Sequence, residues 1–314
     1  MKESSSLLRA GDDEESVESS GKDAISSVIA VSMSLIVIFA SSITIIYLWK
    51  GEDGFVIERP SSALLSWQME YMDLIGANND SLTELDGEGV VVCVVDSGVD
   101  LDHPDLRGVE LRGWRDSING IEEPYDDEGH GTAMTGIIVS DGGLDGVAKG
   151  VDLLVAKAID DKGQGTDGTV SDSVDWCVQQ GADIISLSLG GSQSFGSDFF
   201  TTDELEQSVD DALDSGVFVV SSAGNDGEDD DGDVGSPGSV EDVICVGGIT
   251  RSGSIWSGSS EGDNDGRLWP NPILPRSDPD KKPEIVGPGH EVPVLMASGV
   301  SNSESVSYTH LRAH

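Results

Sequence analysis

Between residues 90 and 250, apolar runs alternate with polar gaps rich in Gly and Asp. Val90–Val95 is unbroken, rich in β-branched residues, and bounded by Gly89 and Ser97–Gly98. So short an apolar run predicts a strand buried on both faces rather than a helix. Leu153–Ala158, Ile184–Leu189, Val217–Ser221 and Val243–Val246 predict further strands. Between them, Thr169–Gln180 carries Val170, Val174, Cys177 and Val178 at helical spacing, and Glu204–Ser215 carries Leu205, Val209, Ala212 and Leu213. His130–Ser140 predicts one more helix. Strands alternating with single helices predict an α/β fold in three layers, with a mostly parallel central sheet and helices on both faces.

A different pattern precedes this region. Ala24–Trp49 runs 26 residues without a charge. As a helix it reaches roughly 39 Å, enough to cross a hydrocarbon core of about 30 Å, so it predicts one transmembrane helix. Lys2, Arg9 and Lys22 precede it, against Lys50 and Arg59 after it. That balance favours a cytoplasmic N-terminus and an extracytoplasmic domain. Residues 1–23 are acidic and Ser-rich and predict a disordered tail. Residues 50–60 form a linker, and the domain occupies residues 61–305, with Ser61–Leu85 lying along its surface.

Charge narrows the partners. Seventeen Lys and Arg stand against 59 Asp and Glu, a net charge of −42. Phosphate binding needs a basic patch, so nucleic acid is excluded. The acidic surface favours a soluble, monomeric domain in a salty medium, although the oligomeric state does not follow from sequence. Cys93, Cys177 and Cys245 are odd in number and lack C-x-x-C spacing, which argues against a disulfide framework or a zinc site. All three are read as small apolar core residues.

The candidate chemistry sits at strand ends. Asp96 ends the first strand at a Ser-Gly turn, where open α/β sheets place their reactive groups. His130 follows 34 residues later in Asp127-Glu128-Gly129-His130-Gly131-Thr132, at a predicted helix start, where a His suits a general base. Asn225 lies in Ser221-Ser222-Ala223-Gly224-Asn225-Asp226, directly after another strand. Taken in this order, the three motifs resemble the subtilisin-like serine proteases. The resemblance implies an endopeptidase in which Asp96 orients His130, Asn225 donates to the oxyanion, and polypeptides are the substrates. It also implies that Gly163 and Gly165 pair with extended substrate backbone. Ser188, Leu189 and Gly190, with Ala223 and Gly224, would line the primary specificity pocket. Pro283–Gly289 resembles the strand and turn that precede the family's nucleophile.

The nucleophile itself is not found. The Gly-Thr pairs at Gly131, Gly165 and Gly168 are followed by Ala133, Asp167 and Val170, never by Ser. Gly258–Gly262 fits G-x-S-x-G, but the sequence after it is polar and rich in Gly and Pro, so it cannot supply the helix of a nucleophile elbow. Ser298 and Ser307 lack the right neighbours. Val306–His314 carries two of the five His, an Arg and no acid, unlike the domain before it, and reads as a non-native tail. The expectation is therefore a fragment that stops before its serine. A rival reading is an inactive module that binds extended peptides. A nucleotide site is disfavoured because no G-x-G-x-x-G follows the first strand. No cofactor is required. Calcium is an optional ligand, at Asp105 by resemblance or at the oxygen-rich Asp226–Asp233 and Asp263–Gly266 segments.

Overall fold

A seven-stranded, entirely parallel sheet is built around the first apolar run. In the computed structural model, residues 28–43, 59–79, 85–189, 204–227, 234–262, 281–298 and 308–312 are described. The chain divides into two units, Met1–Glu58 and Arg59–His314.

In the second unit, β1 (Val91–Asp96) is buried at every position. The neighbours explain why. Residues Val91, Cys93 and Val95 face one core with Leu154, Ala156, Val174 and Val209. Val94 faces the other core with Leu153, Val155, Val139 and Leu295. Both faces of the strand are covered, so an alternating polar pattern has no place in it.

The remaining strands are β2 (Leu111–Asp116), β3 (Asp152–Lys157), β4 (Ile184–Leu187), β5 (Phe218–Ser222), β6 (Ile244–Ile249) and β7 (Ile285–Pro288). Their spatial order is β2-β3-β1-β4-β5-β6-β7. The chain leaves β1 toward one edge, returns through β3, then crosses to β4. That reversal puts the topological switch point at the carboxyl ends of β3, β1 and β4.

Helix α3 (His130–Val139) contributes Val139 to the core holding Val94. Helices α4 (Asp167–Gln179) and α5 (Glu204–Asp214) pack on the opposite face. Thr166 and Thr169 form a capping box that starts α4. A two-stranded antiparallel sheet joins β8 (His290–Leu295) to β9 (Tyr308–Arg312).

The α/β architecture and parallel sheet expected from the pattern are present, and three departures stand out. Strand β2 was not expected, because LRGWRD alternates charge with aromatic and glycine and carries no apolar run. Its burial is partial, as befits a sheet edge. Ser62–Leu74, expected only as a surface segment, is a helix, α2, capped by the Ser61 side chain. It is held by the Tyr71 hydroxyl donating to the His290 carbonyl and by Arg251, which pairs with Glu70 and lies 4.5 Å over the Trp67 ring. The third departure is covalent. Cys93 and Cys177 form a disulfide across 84 residues, correcting their reading as separate apolar residues. Strand β1 and helix α4 bring their Cα atoms to 5.9 Å, within the span a disulfide bridges. Cys245 is buried and lies outside this disulfide.

In the first unit, α1 covers residues 28–43 with its side chains exposed. The hydroxyls of Ser34 and Ser42 bond back to the carbonyls of Ala30 and Ile38. Of the single helix expected over Ala24–Trp49, the described part, residues 28–43, is helical throughout. Among the described residues, no helix is long and apolar enough to cross a membrane. Residues 24–27 and 44–49 lie outside those described, as do residues 1–23 of the predicted tail and 50–58 of the predicted linker.

Candidate active site

Asp96 and His130 meet at the carboxyl end of β1. Asp96 is 1% exposed, and both its oxygens lie at hydrogen-bonding distance from His130 Nδ1, at 2.9 and 3.0 Å. The Ser97 amide donates to Asp96 Oδ1 at 2.7 Å, and the Asp96 carbonyl accepts from the amides of Ala158 and Ile159. The carboxylate and the backbone that carries it are thereby each fixed by hydrogen bonds.

Burial opposes charge on the His130 ring. The Asp96 charge and hydrogen bond, with Glu128 and Asp126 behind them, outweigh it and raise the ring to about 9. The ring remains partly open, with 32% of the side chain exposed, so its outer edge is available for proton transfer. No serine among the described residues hydrogen-bonds to it. Ser298 is exposed and gives both its amide and its hydroxyl to Asp100 Oδ2.

The turn beneath this pair requires glycine at two positions. Gly98 adopts φ +121°, and a Cβ there would lie 2.0 Å from the Tyr125 carbonyl oxygen. A Cβ on Gly131 would lie 2.2 Å from the Gly98 carbonyl oxygen. These two absences let the first turn of α3 sit directly on the loop that follows Asp96.

Sequence reading missed the residue that organises this contact. Asp126 is buried and accepts hydrogen bonds from the amides of Glu128, Gly129 and Thr132 and from the hydroxyls of Ser97 and Thr132. Ser97 in turn accepts from the Gly131 amide. Glu128 accepts from the His130 amide at 2.8 Å. The helix N-cap, Gly129, has no side chain, so these two carboxylates satisfy the orphan amides and complement the helix dipole. An acid just ahead of a predicted helix start was the available signal.

The other expected site residues that are described follow strands at the same carboxyl edge of the sheet. Asn225 follows β5, which lies two strands from β1, about 10 Å away. It is exposed. Its loop is fixed from below: Gly224 has φ +109°, the Ala223 amide donates to Val246, and the Asp226 amide donates to the Ser260 hydroxyl. Ser260, from the G-x-S-x-G match, is 1% exposed and supports this loop rather than forming a nucleophile elbow.

Ser188 and Leu189 follow β4, and the Leu189 carbonyl accepts from the Ser222 hydroxyl at 3.0 Å. Gly190 lies outside the described residues. Gly163 and Gly165 are exposed in a loop that the Asp160 carboxylate organises by accepting the amides of Lys162 and Gln164. A Cβ on Gly163 would lie 3.8 Å from Glu128 Oε1, so this edge borders the segment carrying His130.

Asp105 does not fit a calcium site. Its oxygens accept the amides of Gly143 and Leu144 at 2.8 and 2.9 Å, and a Cβ on Gly142 would lie 2.2 Å from Oδ1. Calcium is held by converging oxygens, whereas this carboxylate is enclosed by N–H donors. Among the described residues, no cluster of three or more His, Cys, Asp or Glu side chains is arranged for a metal. Residues 228–233 and 263–266 of the other two candidates lie outside the described residues.

Comparison with known proteins finds relatives of the chain. A family model described as the subtilase family matches residues 87–313. The serine protease AprX of Bacillus subtilis (strain 168) is 35% identical over 247 residues, covering 74% of this chain and 53% of that protein. Subtilisin DY of Bacillus licheniformis is 32% identical over 193 residues, covering 60% of this chain and 67% of its own. The crystal structure of a cold adapted subtilisin-like serine proteinase superposes with a TM-score of 0.56 at 27% identity, covering 73% of this chain and 71% of that one. The chain spans about half the length of the first curated relatives it matches. By the match over residues 87–313, the parallel sheet and the Asp96–His130 pair at its switch point, this chain belongs to the subtilase family.

Proposed function

We propose that this chain carries the acid–base half of a serine endopeptidase. The observation that carries the reading is the contact of both Asp96 oxygens with His130 Nδ1. With Nδ1 held by Asp96, Nε2 is left to take the proton from a serine hydroxyl as that oxygen attacks the scissile carbonyl. The same ring then returns the proton to the leaving amine. Asn225 donates to the oxyanion that forms. The substrate is an extended polypeptide, its backbone against Gly163–Gly165 and its side chain beside Ser188, Leu189 and Gly190.

The raised His130 value sets a direction. The ring holds its proton at neutral pH and works as a base only once neutral, so turnover rises toward alkaline pH.

None of the Gly-Thr pairs is followed by Ser, so the proposal places the nucleophile outside residues 1–314. The hydroxyl of Ser298, committed to Asp100, favours a second reading of the chain as written: a module that binds peptides without cutting them. The charge-free run of Ala24–Trp49 supports a further proposal, a membrane anchor with the domain outside the cytoplasm.

The test is labelling with a serine-directed fluorophosphonate alongside peptide hydrolysis. Residues 1–314 should show no specifically labelled serine and no turnover. When the chain is extended by its native continuation, one serine should label, and His130→Ala should abolish that labelling. A labelled serine within residues 1–314 would refute the placement of the nucleophile. An extended chain that binds peptide but never labels would refute the protease reading.

A further inference from the structure

Lys157 ends β3 directly beside Asp96, its registered neighbour on β1, and is 0% exposed. A buried ammonium is costly unless its charge and all its donors are matched. Here they are. Nζ donates to the Ser97 carbonyl at 2.6 Å, to Asp127 Oδ1 at 2.6 Å and to the Ile159 carbonyl at 2.8 Å, and lies 5.0 Å from the centre of the Tyr125 ring.

The three acceptors belong to three separate parts of the cleft. Ser97 opens the turn after Asp96, and its own amide fixes the Asp96 carboxylate. Asp127 lies in the loop between the helix-capping Asp126 and His130. Ile159 leads into the Asp160–Gln164 turn, which presents Gly163. Tyr125 is itself anchored, its hydroxyl donating to Asp116 Oδ2 at 3.0 Å and its carbonyl accepting the Val99 amide at 3.2 Å. We propose that Lys157 is a positioning residue whose single ammonium group sets the Asp96 turn, the His130 loop and the Gly163–Gly165 edge in register with one another.

A second buried lysine supplies the contrast. Lys282 is 5% exposed and donates to the carbonyls of Glu241 and Val243, and it pairs with Glu284. It matches Lys157 in burial and in kind of partner, but its contacts join β7 to the start of β6. It touches none of the segments that hold Asp96 or His130. Loss of either lysine removes comparable interactions, and only one of the two should disturb the Asp–His pair.

The inference rests on reading Asp96–His130 as the general-base pair, and the experiment separates the two. Proton NMR of the full chain reads the low-field resonance of the His130 Nδ1 proton shared with Asp96, with urea melts run in parallel. If the unmodified chain lacks this resonance, the pair itself is refuted. With the resonance present, Lys157→Met should abolish it in folded protein, and Lys282→Met should lower stability and leave it intact. Asp127→Asn, at a partly exposed position, removes the charge from the link to the His130 loop and weakens it while keeping the ammonium group. It should speed exchange of this proton with water by about tenfold or more, the effect of losing one charge-assisted hydrogen bond. A folded Lys157→Met chain that keeps the resonance would overturn the proposal. Should that variant not fold, unchanged exchange in Asp127→Asn overturns it, and so does equal loss in Lys282→Met.

Discussion

The two ends of the cleft are built in different ways. At the β1 end, Asp96, Ser97 and Asp126 are buried, and side chains fix one another through carboxylates and hydroxyls. At the β5 end, Asn225 is exposed, and its loop is fixed mainly through backbone, with Ser260 as its buried side-chain support. The difference follows from the chemistry each end is proposed to perform. A general base needs its orientation fixed in a low-dielectric setting, where a hydrogen bond to a carboxylate is strong. An oxyanion donor must stay open to a substrate that arrives from solvent.

The contrast can be broken most forcefully at Asp126. Asp126→Ala leaves five donors without their acceptor, three of them at the start of α3. It should lower stability by on the order of 3–5 kcal/mol in a urea melt. A loss below about 1 kcal/mol would mean that the β1 end is no more tightly determined than the β5 end.

Reduction of the Cys93–Cys177 bond comes next. It acts on the opposite face of β1 and should lower stability by about 2–4 kcal/mol, given the 84 residues it spans. The His130 resonances should be unchanged in the protein that remains folded. Their disturbance would show that the two faces of β1 are coupled.

Ser260→Ala is the mildest change. It removes one hydrogen bond to the Asp226 amide and should lower stability by about 1 kcal/mol. A loss as large as that of Asp126→Ala would erase the distinction between the two ends.

Much of this was legible in sequence, for a physical reason. Strands β1, β3, β4 and β5 are covered by helices, so their apolar runs mark them out. Asp96 and His130 stand where such a strand and a helix begin or end. What sequence did not show depends on contacts between distant segments. Strand β2 is an edge strand whose pattern resembles a loop, and Cys93 meets Cys177 only once α4 packs on β1. Asp126 and Lys157 are charged residues whose burial is set by partners elsewhere in the chain, so neither looked different from its solvated neighbours. Asp105 matched a calcium position by type, yet the short loop over Ser140–Leu144 turned its amides onto the carboxylate instead.

The most direct test of the Asp96–His130 pair is an NMR pH titration of the chain labelled at histidine, with His130 assigned by its absence in His130→Asn. A folded-state value above the ordinary 6.5 means that the protonated ring adds stability, complete below pH 6.5 and lost as the pH rises through about 9. The ring should therefore titrate near pH 9 in the unmodified chain and move down toward 6.5 in Asp96→Asn, with urea stability falling over the same interval only in the unmodified chain. A His130 that titrates near 6.5 with Asp96 in place, or that is indifferent to Asp96→Asn, would contradict the account.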